Sequence, residues 1–330
     1  MRAFQIADHT QIVGPRQEAD ACGKSLGLPE EDIGRASLIT TELATNLSKH
    51  AGGGEILVGA SLDSQTPCVE ILAIDKGPGM DIEACLADGY STAGSQGTGL
   101  GACRRQATTF DAYTASGFGT AIHIRVCSGR TPYRSKQTIP WGAVVRALAG
   151  EDVSGDAVAV RESGEDFVAL VADGLGHGPF AADAAHHAAD TFQQSVSADA
   201  EELVESIHAS LRATRGAAIA VANMNVAKRL ATFCGIGNIS GSLISLGQTK
   251  RLTSLNGTAG LVARRVQGFQ YPYENDTLLI LHSDGLSSSW NLEKYPGLAQ
   301  KAPTLIAAVL YRDFGRARDD ASILVARMVS

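Results

Sequence analysis

No stretch of this 330-residue chain is apolar for long enough to cross a bilayer. Its longest apolar runs, LLIL before His282 and LIAAVL at 305–310, fall well short of the roughly 20 residues that a spanning helix needs. The opening MRAFQIADHT has no apolar segment of the kind that directs export. The six cysteines, at 22, 68, 85, 103, 127 and 234, form no CxxC pair and no Cys/His spacing suited to zinc, so reduced and mostly buried thiols are expected. There is no basic excess either: a formal net charge of −7 leaves no footprint for nucleic acid. Internal repeats and low-complexity segments are also missing. These absences point away from membrane and nucleic-acid partners and towards the cytoplasm.

What is present is the composition of a folded globular protein, 44% hydrophobic and 19% charged, in a chain long enough for two cores. The stretch SGRTPYRSKQ at 128–137 is polar, basic and without apolar periodicity, which predicts a linker over 128–138 between domains at 1–127 and 139–330. In the first domain the spacing predicts helices over 7–26 and 32–50 and strands over 55–62, 69–74 and 120–126. A glycine-rich opening at 97–109 continues as a helix. Beyond the linker the pattern changes to strands at 158–160, 167–172, 217–223, 230–233, 242–245, 278–282 and 323–326. Helices are expected over 179–194, 201–213 and 305–314.

Three motifs in the first domain carry chemistry. In TTELATNLSKHAGGG, Glu42 and Asn46 stand four apart, hence on one helix face, and offer a carboxylate for base work and an amide oxygen for Mg²⁺. VEILAIDKGPGM places Asp75 at the end of a buried strand, where it can accept from an adenine amino group, while Gly77 and Gly79 let the backbone turn beneath the base. GSQGTGLGACRRQ runs a glycine-rich loop into a helix, a setting for backbone N–H contacts to phosphate. Its glycines Gly97, Gly99 and Gly101 are spaced unlike a Walker or dinucleotide fingerprint.

In this order the three resemble the boxes of the GHKL ATP-binding fold. With GFGTAIHIRV they resemble the RsbT-type serine/threonine switch kinases of bacterial stress signalling over nearly all of residues 1–127. The resemblance implies ATP as cofactor, Glu42 as general base and Asn46 as Mg²⁺ ligand. It gives adenine to Asp75 with Gly79 and Thr120, keeps Gly77 in the cofactor-binding turn, and gives the phosphates to Gly97, Gly99 and Gly101. Lys49 and His50, one turn on, read as solvated surface.

Four aspartates mark the second domain: Asp156 in VSGDAV, Asp173 in VADGLGHG, Asp284 in LLILHSDGL and Asp319 in RDDASILVA. A carboxylate at the mouth of a buried strand is costly to desolvate unless a cation or donor meets it, so several at equivalent strand ends suggest one shared site for hard metal ions. These motifs and GIGNIS resemble the metal-dependent PPM-type phosphatases of the bacterial sporulation and stress branch, RsbX-type above all, over roughly 139–330. The resemblance implies two Mn²⁺ or Mg²⁺ ions bridged by Asp173, with the Gly174 carbonyl on the first. Asp284 and Asp319 would lie on the second ion, and Asp156 would support the first. Gly235 and Gly237 would shape a nearby loop. His177 reads as a loop residue, His186 and His187 as surface, and His282 as a packing residue behind the site. Asp320 extends a DD pair that is normal in this branch.

The expected fold class is α+β in two domains, a GHKL α/β sandwich followed by a PPM-type αββα sandwich. The resemblances imply a bifunctional serine/threonine kinase and phosphatase acting on STAS-domain scaffold or antagonist proteins of a stressosome-like module. A downstream regulator or sigma-factor pathway is a further partner. The alternative is a phosphatase whose first domain binds a partner in a nucleotide-dependent way without kinase activity.

Overall fold

The computed structural model describes residues 1–62, 66–86, 99–129, 139–245, 247–263 and 265–329. The chain forms two compact units: Met1–Lys136 with Asn291–Arg312, and Gln137–Trp290 with Asp313–Ser330. Most of the expected linker, and Gly97 of the glycine-rich loop, lie outside the described residues.

The first unit is built on one antiparallel sheet. Its strands are β1 (Arg2–Ile6), β2 (Gly54–Ala60), β3 (Cys68–Asp75), β4 (Thr109–Thr114) and β5 (Thr120–Cys127), in the order β1-β2-β3-β5-β4. Its helices are α1 (Val13–Ser25), α2 (Glu30–Asn46), α3 (Ile82–Leu86) and α4 (Leu100–Gln106). Ile33, Ala36, Ile39 and Leu43 recur at helical spacing along one stripe of α2 and pack in a common core with Val69, Ile71 and Ala73 of β3 and Ile122, Ile124 and Val126 of β5. Glu30, Glu31 and Asp32 favour the start of α2 by meeting its positive end. Directly after Asn46 the helix widens into a π turn, Leu47–Ala51, closed by Gly52 at φ 72°.

On the other face of the same sheet sits a buried polar knot. Glu70 lies opposite Arg125 in register and its Oε1 accepts from Arg125 Nε at 2.8 Å, with His123 Nε2 at 2.7 Å. Burial alone would raise Glu70; the His123 bond and the Arg125 charge outweigh it and hold the carboxyl at about 2.

The second unit stacks two sheets. The first has the order β15-β10-β9-β8-β7 and comprises β7 (Asp156–Ser163), β8 (Asp166–Gly174), β9 (Ala217–Asn225), β10 (Leu230–Ile236) and β15 (Gly268–Pro272). The second has the order β12-β11-β16-β17-β6 and comprises β6 (Trp141–Arg146), β11 (Ser240–Ser245), β12 (Gln248–Leu252), β16 (Thr277–His282) and β17 (Ala321–Met328). A short ribbon, β13 (Gly257–Thr258) with β14 (Val262–Ala263), completes the strands among the described residues. The period of two explains the packing. Phe167, Ala169 and Val171 of β8 point into the core shared with Leu279, Leu281 and Leu324 of the second sheet. Their neighbours Val168, Leu170 and Ala172 face Ala185, Ala188 and Phe192 of α5 (Pro179–Gln194) and Leu203 and Ile207 of α6 (Ala200–Ser210). The unbroken apolar run of β8 is therefore a strand buried on both faces. The last helix, α7 (Pro303–Phe314), precedes β17.

The expected α+β class with its two sandwiches is the fold observed. Seven strands among the described residues escaped the sequence reading: β1, β4, β6, β12, β13, β14 and β15. β1 and β6 are at sheet edges and short, and β12 (QTKRL) is an edge strand whose first four residues are exposed. One expectation is corrected. Cys68 and Cys127 are not free thiols but a disulfide, because β3 and β5 place them directly opposite each other in register. Cys22, Cys85, Cys103 and Cys234 are free.

Phe233 of β10 is fully buried between the sheets, and Gly241 of β11 leaves the space its ring fills, since a Cβ there would come within 2.9 Å of it. Phe233→Ala is expected to destabilise the second unit by about 3–5 kcal/mol, read as a lower denaturant midpoint for the transition of that unit, with the transition of the first unit unmoved.

Candidate functional site

In the first unit the end of α2, the end of β3 and the start of β5 converge. Asp75 closes β3, and its Oδ1 accepts the N–H groups of Gly77 at 2.8 Å and Thr120 at 3.2 Å. Both recorded bonds fall on one oxygen, so Oδ2 is the atom oriented for a further donor. Burial raises the Asp75 carboxyl, with the two amide bonds opposing. Asn46, His50, Asp75, Gly79, Met80 and Thr120 line one cavity. The structure thus gathers Asn46, Asp75, Gly79 and Thr120 around one space, with Gly77 contributing its amide to Asp75. Glu42 lies one turn earlier on α2, half-buried and close to Cys103. Burial and then the Glu42 charge push the Cys103 thiol up to about 12. Gly99 caps α4 and Gly101 falls in its first turn. Lys49 and His50 are exposed, as expected, but His50 also borders the cavity.

Two residues of this site had no role in the sequence reading. Gly119 has φ +71°, and a Cβ there would meet the Asp75 carbonyl at 2.0 Å, so only glycine lets β5 begin beside Asp75. The motif GFGT held that signal. Arg312, at the far end of the chain, donates from Nη1 to the Asp75 carbonyl at 2.9 Å, and no local pattern announces it.

In the second unit the aspartates meet through strand register. Asp156 opens β7 and is directly paired with Asp173 at the end of β8. Asp284 follows β16 by two residues and Asp319 precedes β17 by two. The charges of Asp156, Asp284, Asp319 and Asp320 all act on Asp173, whose carboxyl burial and then these neighbours push up to about 9. Asp156 is 2% exposed and is pushed up to about 7, by burial first, despite the hydrogen bond that its Oδ2 accepts from Ser283 Oγ at 2.6 Å. Burial, then Asp284, raises Asp319 as well. Asp284 Oδ2 accepts from Asn238 Nδ2 at 2.7 Å, and Asp320 Oδ1 accepts from the Leu148 amide at 2.8 Å.

The two DG steps are requirements of close approach. A Cβ on Gly174 would meet the Ala181 carbonyl at 2.0 Å, and one on Gly285 the Asp320 carbonyl at 1.9 Å. Gly237, at φ +101°, shapes the loop that delivers Asn238, while Gly235 belongs to the end of β10. His177 pairs with Glu151 at 2.7 Å in an exposed loop, and His186 and His187 are exposed. His282 is buried behind the turn, donating from Nδ1 to the Ser283 carbonyl at 2.8 Å and accepting from Trp290 Nε1 at 3.3 Å. Sequence reasoning missed Asn238 and Ser283, which sit in GIGNIS and HSDG without any spacing rule that marks them.

The residues present fit divalent cations. Asp156 Oδ1 and Asp320 Oδ2 are buried with no hydrogen-bond partner, the condition of an oxygen reserved for a ligand outside the chain. The donor set is all oxygen, which suits Mg²⁺ or Mn²⁺. Among the described residues no three acidic, His or Cys side chains close around one point. Asp156, Asp173, Asp284 and Asp319, with the Gly174 carbonyl, are the groups that would hold the ions.

Fold and carboxylate centre together define the second unit as a PPM-type serine/threonine phosphatase. The stage II sporulation protein E (SpoIIE) pattern matches residues 163–329, just over half of the chain. A segment of 119 residues is 34% identical to the serine/threonine-protein kinase RsbT of Bacillus subtilis (strain 168), over 36% of this chain and 90% of that protein. A segment of 139 residues is 26% identical to the phosphoserine phosphatase RsbX of the same organism, over 42% of this chain and 70% of that protein. A solved chain from work described as "The bacterial stressosome: a modular system that has been adapted to control secondary messenger signaling" is similar at 27% identity and TM-score 0.54, over 58% of this chain and all of that one. The chain belongs to the SpoIIE family and joins to that part an RsbT-family part. No helix among the described residues is long and apolar enough to cross a membrane.

A carboxyl raised in the folded state holds its proton more tightly than in the unfolded chain. Its contribution to stability is therefore full below the ordinary carboxylate range and is lost as pH rises through the folded value. In excess chelator, thermal stability of the second unit is expected to fall from about pH 4 to about pH 9, the span between the ordinary value and that of Asp173. Added Mn²⁺ should restore it at high pH, and Asp173→Asn should flatten the chelated profile. A melting temperature that is insensitive to pH in chelator contradicts this account of the centre.

Proposed function

We propose that the chain is a bifunctional switch enzyme: an ATP-dependent serine/threonine kinase over residues 1–127 joined by 128–138 to a phosphoserine/phosphothreonine phosphatase over 139–330. Its substrates are STAS-domain scaffold or antagonist proteins of a stressosome-like module in the bacterial cytoplasm, with a downstream regulator or sigma-factor pathway beyond them. The observation that carries the phosphatase half is the convergence of four buried or half-buried aspartates on Asp173. The kinase half is supported by the shared cavity of Asn46, Asp75, Gly79 and Thr120 and by the 34% identity to RsbT.

In the kinase, Asp75 Oδ2 would accept the adenine amino group while Gly77 and Thr120 hold Oδ1 in place. Asn46, at the last turn of α2, would hold Mg²⁺, and Glu42 on the same face would take the proton from the substrate hydroxyl. Gly97, Gly99 and Gly101 would bring backbone amides to the phosphates. In the phosphatase, divalent cations when bound supply Lewis acidity and a water acidic enough to attack phosphorus. Asp173 would serve both ions, Asp284 is oriented by Asn238, and Asp156 is oriented by Ser283.

A second reading, in which the first domain holds a partner in a nucleotide-dependent way without transferring phosphate, is favoured by the absence of Glu42 from the residues lining the Asp75 cavity. Two substitutions separate them. Asp75→Asn is expected to weaken ATP binding about tenfold or more, through loss of a charged acceptor. Glu42→Ala is expected to leave ATP binding within about twofold while cutting transfer to a STAS-domain protein by about a hundredfold or more, the scale of general base loss. Equal loss of binding in both variants, or no transfer by the unmodified chain, leaves the second reading.

A further inference from the structure

The second unit holds another cavity, which borders the carboxylate centre at Asn238. It encloses about 240 Å³ and is bounded by Ser240 and Ser242 of β11, Thr249 and Arg251 of β12, and Ser288 and Trp290 after the DG turn. One loop connects the two sites. Asn238 donates to Asp284 and, with its neighbours Gly237 and Ile239, belongs to the wall of this cavity. A phosphoserine presented to the aspartates would therefore carry its flanking residues past this opening.

The chemistry of the wall is one-sided. Of the groups bordering it, Arg251 is the one that is always charged, and its five N–H donors have one recorded bond, from Nη2 to the Ser288 carbonyl at 3.3 Å. The serine and threonine hydroxyls add donors that rotate to suit an acceptor. His282 contributes no free ring nitrogen, since Nδ1 is spent on the Ser283 carbonyl and Nε2 on Trp290. Among the described residues no acidic side chain lines the cavity. Thr249 and Arg251 are two apart on an exposed edge strand, so both point to the same side, while Lys250 between them lies against Tyr271 at 5.3 Å. The Lys250 charge is thus directed elsewhere and the specificity rests on Arg251.

We propose that this cavity is a specificity pocket that takes a glutamate or aspartate side chain of the substrate protein, close in sequence to the phosphorylated residue, with Arg251 as the group that selects it. The inference rests on the phosphatase reading of the aspartate centre. It adds a sequence preference that the centre alone does not supply, because a phosphate ester bound at the carboxylates looks alike in every substrate.

The test uses the full chain with Mn²⁺ and phosphoserine peptides that bear glutamate, alanine or lysine at positions one to four residues from the phosphoserine. Para-nitrophenyl phosphate serves as a substrate without flanking residues. Wild type is expected to show a KM for one of the glutamate peptides about fivefold lower than for its alanine counterpart, the upper range for a solvent-accessible ion pair. Arg251→Gln should erase that difference while leaving kcat and para-nitrophenyl phosphate hydrolysis unchanged, and Arg251→Glu should prefer lysine. Arg251 is exposed on an edge strand, so neither variant disturbs a core. Binding is followed in parallel by fluorescence anisotropy of labelled peptides and by the emission of Trp290, so that the preference is decided even if no peptide is hydrolysed. The same preference in wild type and Arg251→Gln, or no preference in wild type by binding or KM, overturns the pocket assignment. Failure of wild type to hydrolyse para-nitrophenyl phosphate overturns the phosphatase reading and leaves the binding preference to judge the pocket.

Discussion

Repulsion among buried carboxylates is the constraint on which the second unit is arranged. Register places Asp156 opposite Asp173, and two further strand ends bring in Asp284, Asp319 and Asp320. Left ionised and unpaired, such a group costs several kcal/mol per ion, which is large against the margin of a folded domain. The cores on either side of β8 hold the strand ends in place regardless, with Phe167, Ala169 and Val171 on one face and Val168, Leu170 and Ala172 on the other. Gly174 and Gly285 then let the turns approach closely enough for the charges to feel one another. The molecule can relieve the repulsion in two ways, by keeping protons or by taking cations. A site that must do one or the other is suited to hold metal for hydrolysis.

The first unit handles its buried carboxylates differently, and the contrast separates function from structure. Glu70 is buried within the sheet and met by the Arg125 guanidinium and the His123 ring, which hold it at about 2; it stabilises the sheet. Asp75 is met by two backbone amides on a single oxygen and is raised instead of lowered. A carboxylate at the edge of a cavity with one oxygen open to a further donor is what the proposed adenine contact requires. The π turn after Asn46 widens α2 at the point where the cavity needs room.

Much of this was legible because the chemistry sits at strand ends. The long apolar run before Asp173 and the run before Asp284 read as buried strands, and both do end at the site. The period of α2 likewise placed Glu42 and Asn46 on one face. What did not show in the sequence is what arrives from far along the chain. Arg312 reaches the Asp75 carbonyl across 237 positions and Ser283 reaches Asp156 across 127, and neither has a local pattern to mark it. The Cys68–Cys127 disulfide was invisible for the same reason: two cysteines 59 residues apart become neighbours only through the β3–β5 register. Edge strands such as β12 were missed because a strand exposed along most of its length lacks the alternation that betrays one half-buried.

The exchange of protons for cations in the aspartate centre is its decisive property. It can be counted directly by calorimetric titration of Mn²⁺ into the chelated protein at pH 7, in two buffers that differ in enthalpy of protonation. With Asp156 near 7 and Asp173 near 9, the account predicts release of about one to two protons per chain as the ions bind, declining as the pH is raised towards 9. Binding with no proton release, or no binding at all, would contradict it.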